Sequence, residues 1–395
     1  MLIEGINVSI PDRLFEGLEA FGDAPCLIDT SGTTLSYAQA IAQADGLFAR
    51  PELPDGGLAF VFAPSTVLGV LAYIGAVRKG YAVHLLDPNK RAAADQLVET
   101  FDPDIIVDPG RTDPVQVRSA QVSALHADIR ILLSTSGSTG SSKLVKLSDR
   151  NICSNTASII QYLGLTSEDR GITLLKLFYS YGMSVVNIHL HAGASLVVTE
   201  DGIDNPDFWL LLEREKVTNL SGVPFSFEFI RQSGRDVTRH RSLRLLTQAG
   251  GKLAAKHVQA FAGLRAQGGP DFFVMYGQTE AAPRISYLHP ETAAKVPGSI
   301  GRAIPGGRLS LAEETGAEIT ETGVSGELIY EGPNVMVGYA QSRADLTFVE
   351  DIPRLATGDI AHMDSDGLFH IDGRSARFVK PFGLRISLDE VEERL

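Results

Sequence analysis

Residues 134–143 read STSGSTGSSK. Small hydroxyl side chains, glycines and one lysine are the types that can surround an anion: glycine lets backbone N–H groups converge, hydroxyls donate, and the lysine supplies charge. A Walker-type loop places four residues between its glycines and a lysine directly after the second. Gly137 and Gly140 are too close for that, and Lys143 comes three residues after Gly140. The same composition also describes a flexible tether that wraps nothing.

The flanks favour a loop that is held. Upstream, IRILLS (129–134) is a short apolar run of buried-strand type; downstream, Asp149 is placed to cap a helix whose Ile152, Ile159, Ile160 and Leu163 lie mostly on one face. A loop fixed between a strand and a helix keeps the N–H and hydroxyl groups of Ser136, Gly137, Ser138, Thr139 and Gly140 directed toward an anion. On composition alone the tether remains open.

The wider chain shows strands alternating with helices. VLGVLAYIGAV (67–77) reads as a buried helix and YAVHLL (81–86) as the strand after it, while ASLVVTE (194–200), VTNLSGV (217–223), LRLLTQA (243–249) and DFFVMY (271–276) are apolar runs spaced by helix-length segments. That rhythm implies parallel sheets covered by helices, with ligands collecting beyond the carboxyl ends of the strands. AGG (249–251) and GQTE (277–280) fall at such ends. After about residue 297 glycine and proline become frequent and GELIYEG (326–332) and GLFHIDG (367–373) alternate, the pattern of hairpins in a small β unit. No internal repeat or low-complexity segment is present.

Composition bounds the function. A chain of 395 residues predicts more than one core, and 44% hydrophobic with 21% charged residues is globular. A net charge of −13 argues against nucleic acid or an anionic membrane as partner. RQSGRDVTRHRSLR (231–244) is locally basic and reads as a solvated surface. Cys26 and Cys153 fit a reducing compartment and buried packing. His189 and His191, without a third ligand nearby, read as packing or surface residues. The N-terminus lacks a basic start followed by an apolar stretch, and 67–77 is too short to span a bilayer, so a soluble cytoplasmic protein is expected.

Taken in order, LSYAQA (35–40), GAVRKGYAVHLLDP (75–88), STSGSTGSSKLVKLSDRNI (134–152), LTQAGGKL (246–253), YGQTEA (276–281), TGD (357–359) and DGRSARFVKPFGLRISLDEVE (372–392) resemble the motifs of the adenylate-forming acid ligases: acyl- and aryl-CoA synthetases, peptide-synthetase adenylation domains and firefly-type luciferases. The resemblance implies an α/β fold with two layered parallel-sheet subdomains, 1–165 and 166–296, and a small C-terminal β-barrel-like subdomain, 297–395. It also implies ATP and Mg²⁺ as cofactors, and a small carboxylic acid joined to AMP for transfer to CoA or an acyl carrier protein.

The chemistry agrees, because two anions must meet and catalysis then depends on positioning and charge neutralisation. Ser138, Thr139 and the loop N–H groups would hold the outer phosphates, with Lys143 as countercharge. Glu280 would ligate Mg²⁺ beside Thr279, whose hydroxyl reaches the α-phosphate; its plainer reading is a surface carboxylate capping a helix. In this family the aspartate of TGD, here Asp359, bonds the ribose hydroxyls, and Arg374 is expected on the ribose or phosphate side. Tyr276 would face adenine, next to Gly277 and Gln278, with Gly250 and Gly251 allowing close approach or simply turning the chain.

The resemblance has two departures. Amino-acid-activating members carry an Asp for the α-ammonium where Ser180 stands, and many CoA ligases a His where Tyr179 stands. A pocket of Tyr179, Ser180, Tyr181, Gly182 and Val223 therefore lies closer to the acyl or aryl branch. Members also continue past FGLRISLDEVEERL into a mobile lid bearing a catalytic lysine, and Ala376 occupies the usual hinge position. A chain ending at Leu395 in mid-element fits a cut at that hinge, with a naturally separate lid as the alternative. A non-catalytic nucleotide- or acyl-binding module and an amino-acid adenylation domain remain the alternatives.

Overall fold

The computed structural model describes residues 7–9, 11–119, 124–134 and 143–374, together with the backbone of 378–379 and 386–387. Of the candidate residues, Ser136, Gly137, Ser138, Thr139 and Gly140, and the hinge position Ala376, lie outside them.

Two large sheets carry the α/β part, each with a parallel centre and antiparallel edges. The seven-stranded sheet runs Tyr339–Ala340, Leu144–Leu147, Ile131–Ser134, Tyr81–Leu86, Gly57–Phe62, Ile105–Val107 and Val115–Val117. Its four inner strands from 131–134 to 105–107 are parallel and almost wholly buried, because helices cover both faces. The nine-stranded sheet is parallel from Pro25–Ile28 through Ser195–Val197, Arg170–Ile172, Asn219–Gly222 and Leu245–Gln248 to Asp271–Gly277. Thr34–Ser36 adds antiparallel at one edge, and Arg284–Leu288 with Arg302–Ala303 at the other. A small sheet of Glu318–Ile319, Arg308–Ala312, Gly326–Glu331, Leu355–Met363 and Phe369–Arg374 is antiparallel throughout. The expected helix at 67–77 is Val67–Arg78, and it lies with the helix Tyr37–Leu47 in one apolar core shared by both large sheets.

Two local expectations are corrected. The segment after the Gly/Ser loop is not a helix start but the strand Leu144–Leu147, which folds back antiparallel on Ile131–Ser134 with Ser134 opposite Leu144. The loop therefore closes a hairpin, and the helix Asp149–Leu163 begins a strand's length further on. Its cap is Ser148 rather than Asp149: the Ser148 hydroxyl accepts from Asn151 N and the Asn151 side chain accepts from Ser148 N. Asp149 is freed to pair with Arg130 at 2.9 Å and to accept from Leu14 N.

Cys26 and Cys153 are buried, and burial pushes the Cys26 thiol up to about 12 and Cys153 in the same direction. His189 and His191 are buried too: His189 Nδ1 lies 2.8 Å from the Val185 carbonyl, and His191 Nε2 accepts from Phe15 N. Burial holds His84 and His191 at about 4 and His189 below its usual value. These histidines stay neutral in the fold but bind protons near pH 6.5 once unfolded. Their neutrality supports the fold above pH 6.5, and that support is lost as pH falls toward 4, on the order of 3 kcal/mol each for His84 and His191. The melting temperature should fall steeply between pH 6.5 and 4; a flat profile over that range would contradict the burial of these rings.

Candidate active site

The hairpin ends at Lys143, whose Nζ sits 3.3 Å from the centroid of the Tyr339 ring. Tyr339 reaches that place because Tyr339–Ala340 pairs with Leu144–Leu147, with Tyr339 opposite Val145. Its hydroxyl donates to Glu280 Oε1 at 3.0 Å, so a cation and a carboxylate meet on one phenol. Burial raises the Tyr339 phenol above its usual range, and Glu280 raises it further. It remains the donor at neutral pH.

Glu280 belongs to the short 3₁₀ turn Thr279–Ala281 that follows the strand Asp271–Gly277, at the carboxyl end expected for GQTE. The turn is fixed by Met336 N, which donates to the Glu280 carbonyl at 2.8 Å. Thr279 Oγ1 lies 3.3 Å from Ser180 Oγ at the start of the helix Ser180–His191. Lys143, Tyr339, Glu280, Thr279 and Ser180 thus form one connected series drawn from four distant segments.

A second group joins at Tyr276. Its hydroxyl donates to Asp359 Oδ2 at 2.5 Å, and Arg374 Nε lies 3.4 Å from Asp359 Oδ1. Asp359 and Arg374 are register partners in the small sheet, so this contact ties that sheet to the end of a large-sheet strand. Gly358, with φ of +74°, turns the chain just before Asp359. Burial and then the Asp359 charge hold the Tyr276 phenol well above its ordinary range.

The remaining candidates divide. Tyr181 is buried and donates to the Thr247 carbonyl at 3.0 Å, whereas Tyr179, at 51% exposed, faces solvent. Gly250 and Gly251 pack against Val223 and Pro224, where an added Cβ would meet Val223 Cγ1 at 3.3 Å and Pro224 Cγ at 3.1 Å. Gly182 and Gly277 answer to packing in the fold itself, since a Cβ there would lie 2.1 Å from the Lys176 carbonyl and 1.9 Å from the Pro283 carbonyl. Gln278 has its carbonyl accepting from Ala281 N inside the turn. The sequence reading missed Tyr339, which no spacing around VGYA marks, and Arg284, which PRIS presents as an ordinary strand residue.

Residues 103–340 match the family described as AMP-binding enzyme, and the chain belongs to that family. Feruloyl-CoA synthase of Amycolatopsis sp is 30% identical over 273 residues, covering 68% of this chain and 54% of that protein. Indoleacetate–CoA ligase of Aromatoleum aromaticum is 28% identical over 265 residues, 66% of this chain and 50% of that one. The chain spans about half the length of the curated relatives it matches. Among solved structures, ATP-bound MatB from Rhodopseudomonas palustris superposes with a TM-score of 0.79 at 24% identity, over 95% of this chain and 82% of that one. O-succinylbenzoate coenzyme A synthetase of Bacillus subtilis, in complex with ATP and a magnesium ion, gives 0.79 at 21% identity over 95% and 82%. These likenesses establish the fold: mixed α/β, with two large sheets and a small antiparallel one.

The geometry makes a direct prediction. Tyr276→Phe removes a hydrogen bond to a charged, buried acceptor, a loss of about 1.5–3 kcal/mol. The melting temperature of the unliganded protein should drop by a few degrees. An unchanged value would show that the Tyr276–Asp359 contact does not hold the small sheet.

Proposed function

We propose that this chain is the core of an ATP-dependent carboxylic acid ligase, which joins an acyl or aryl acid to AMP and passes it to a thiol of CoA or a carrier protein. The observation that carries this reading is the convergence of Lys143 and Glu280 on Tyr339, one residue from Thr279 and hence beside Ser180. A module that merely bound an acyl group would have no use for a hard carboxylate and a cation at the same point. Family membership supports the nucleotide, and the ligase names of the relatives support the acid and the thiol. The reading divides the chain into 1–165, 166–296 and 297–395, although Pro25–Ile28 and Thr34–Ser36 belong to the sheet of the second stretch and Tyr339–Ala340 to that of the first. Two buried free cysteines accord with a reducing compartment, and among the described residues no helix is long and apolar enough to cross a membrane.

In this reading the ATP phosphates lie between the hairpin loop and the turn Thr279–Ala281. Glu280 offers a carboxylate oxygen to Mg²⁺, the ligand type that ion prefers, while Tyr339 donates to its Oε1 and fixes its direction. The ion, when bound, neutralises phosphate charge. Lys143 supplies the mobile countercharge to the departing pyrophosphate, and Thr279 with Ser180 orients the acid against the α-phosphate. Asp359 accepts from the ribose hydroxyls, with Arg374 beside it and Tyr276 against the base. The Gly250–Gly251 turn, packed against Val223 and Pro224, would bring its backbone up to the adenine.

Two outcomes follow. Lys143→Ala should slow ATP–pyrophosphate exchange about a hundredfold, the effect of roughly 3 kcal/mol from one positioned charge, while binding of the acid changes little. An unchanged rate at saturating Mg-ATP would return the Gly/Ser loop to a tether. Free α-amino acids should be poor substrates beside acids without an ammonium, because Ser180 offers no countercharge and desolvating an unpaired ammonium costs several kcal/mol. Efficient exchange with any common α-amino acid would contradict the assignment of the pocket.

A further inference from the structure

Arg284 is 2% exposed and stands directly opposite Gly277 at the start of the strand Arg284–Leu288. Its backbone is clamped: Asn155 Oδ1 accepts from its N–H, and its carbonyl accepts from Asn155 Nδ2 at 2.9 Å and Asn334 Nδ2 at 3.0 Å. The guanidinium lies 3.9 Å over the Tyr181 ring, and Nη1 donates to Ser184 Oγ at 2.8 Å. Nε is buried without an acceptor. Other largely buried arginines are treated differently by this fold, since Arg78, Arg130 and Arg343 each pair with a carboxylate. Among the described residues no carboxylate pairs with Arg284.

A guanidinium taken from water at a cost of several kcal/mol is not neutralised by the uncharged hydroxyls of Ser184 and Tyr162 and the face of Tyr181. An anion with two acceptor oxygens neutralises it, and the planar fork suits a carboxylate. The position says which carboxylate. Ser180, which touches Thr279, marks the reacting end of the acid pocket; Ser184, which touches Arg284, is one turn further along the same helix, roughly 6 Å at the helical rise. Tyr181, the buried member of the expected pocket, lies between the guanidinium and the Thr247 carbonyl.

Resting on the ligase reading above, we propose that Arg284 is the specificity-determining residue of this pocket and pairs with a second carboxylate at the far end of the acid. The substrate is then a short dicarboxylic acid, activated at one carboxylate and held by the other.

The test is calorimetric titration of this chain with non-hydrolysable acyl-sulfamate adenosine mimics, in pairs of equal length: succinyl against butyryl, glutaryl against valeryl, adipoyl against hexanoyl, with AMP as reference. The wild-type protein should bind at least one carboxylate-tailed mimic about tenfold or more tightly than its neutral partner. Arg284→Met should abolish that preference and leave AMP affinity unchanged, and Arg284→Lys should keep part of it. Equal or tighter binding of the neutral member of every pair would overturn the proposal, as would a preference that survives Arg284→Met. If Arg284→Met does not fold, the wild-type comparison decides alone. Binding of both members without preference removes only the role of Arg284; failure of AMP and all mimics to bind removes the ligase reading and this proposal with it.

Discussion

Lys146 is completely buried, and its ammonium is closed by the carbonyls of Asp345 and Phe348, each at 2.9 Å. The candidate site depends on this contact. It clamps the segment around 337–350 onto the strand Leu144–Leu147, helped by Lys146 N donating to the Gly338 carbonyl and Val337 N to the Lys146 carbonyl. Arg343 secures the same segment from the other side through both oxygens of buried Asp104. With the segment fixed, Tyr339 has one place to go, between Lys143 and Glu280. A buried cation satisfied by carbonyls therefore sets the distance between two groups that the proposed chemistry needs near each other. Desolvation holds the Lys146 amine below its usual range, against the nearby Glu350 and Asp345 charges, so the contact is bound to its carbonyl shell.

A second tie has a comparable effect on the small sheet. Tyr276 ends a strand of the nine-stranded sheet and Asp359 lies within a strand of the five-stranded one, yet their side chains meet at 2.5 Å. In the proposed function that contact carries the ribose site into reach of the base and phosphate sites, which belong to the large sheets. Nucleotide would then bridge elements that protein contacts already hold together.

Much of this fold was legible in the sequence where a strand is buried on both faces. YAVHLL, LRLLTQA and DFFVMY read as continuous apolar runs and are the strands Tyr81–Leu86, Leu245–Gln248 and Asp271–Gly277. Leu144–Leu147 was hidden because Lys146 breaks its apolar run, and the ammonium's satisfaction by residues some two hundred positions away leaves no local mark. Asp149 was read as the cap, but Ser148 takes that place because Asn151, three residues on, completes a capping box with it. Among candidate residues, Tyr276, Thr279, Glu280 and Asp359 stand in contiguous motifs and were named from the order of those motifs, and the structure gives each a side-chain contact with another part of the chain. Tyr339 and Arg284 were not named, because what sets them apart is pairing between distant strands and a buried guanidinium with no carboxylate partner among the described residues, neither of which is a property of a short stretch.

In the proposed function Asp359 and its neighbours form one half of a nucleotide site whose other half is built by the large sheets. Calorimetric titration with AMP and with 2′,3′-dideoxy-AMP probes that half alone. AMP should bind, and loss of the ribose hydroxyls should weaken binding about tenfold or more, the effect of hydrogen bonds to a charged acceptor. Equal affinity for the two nucleotides, or no binding of AMP, would contradict it.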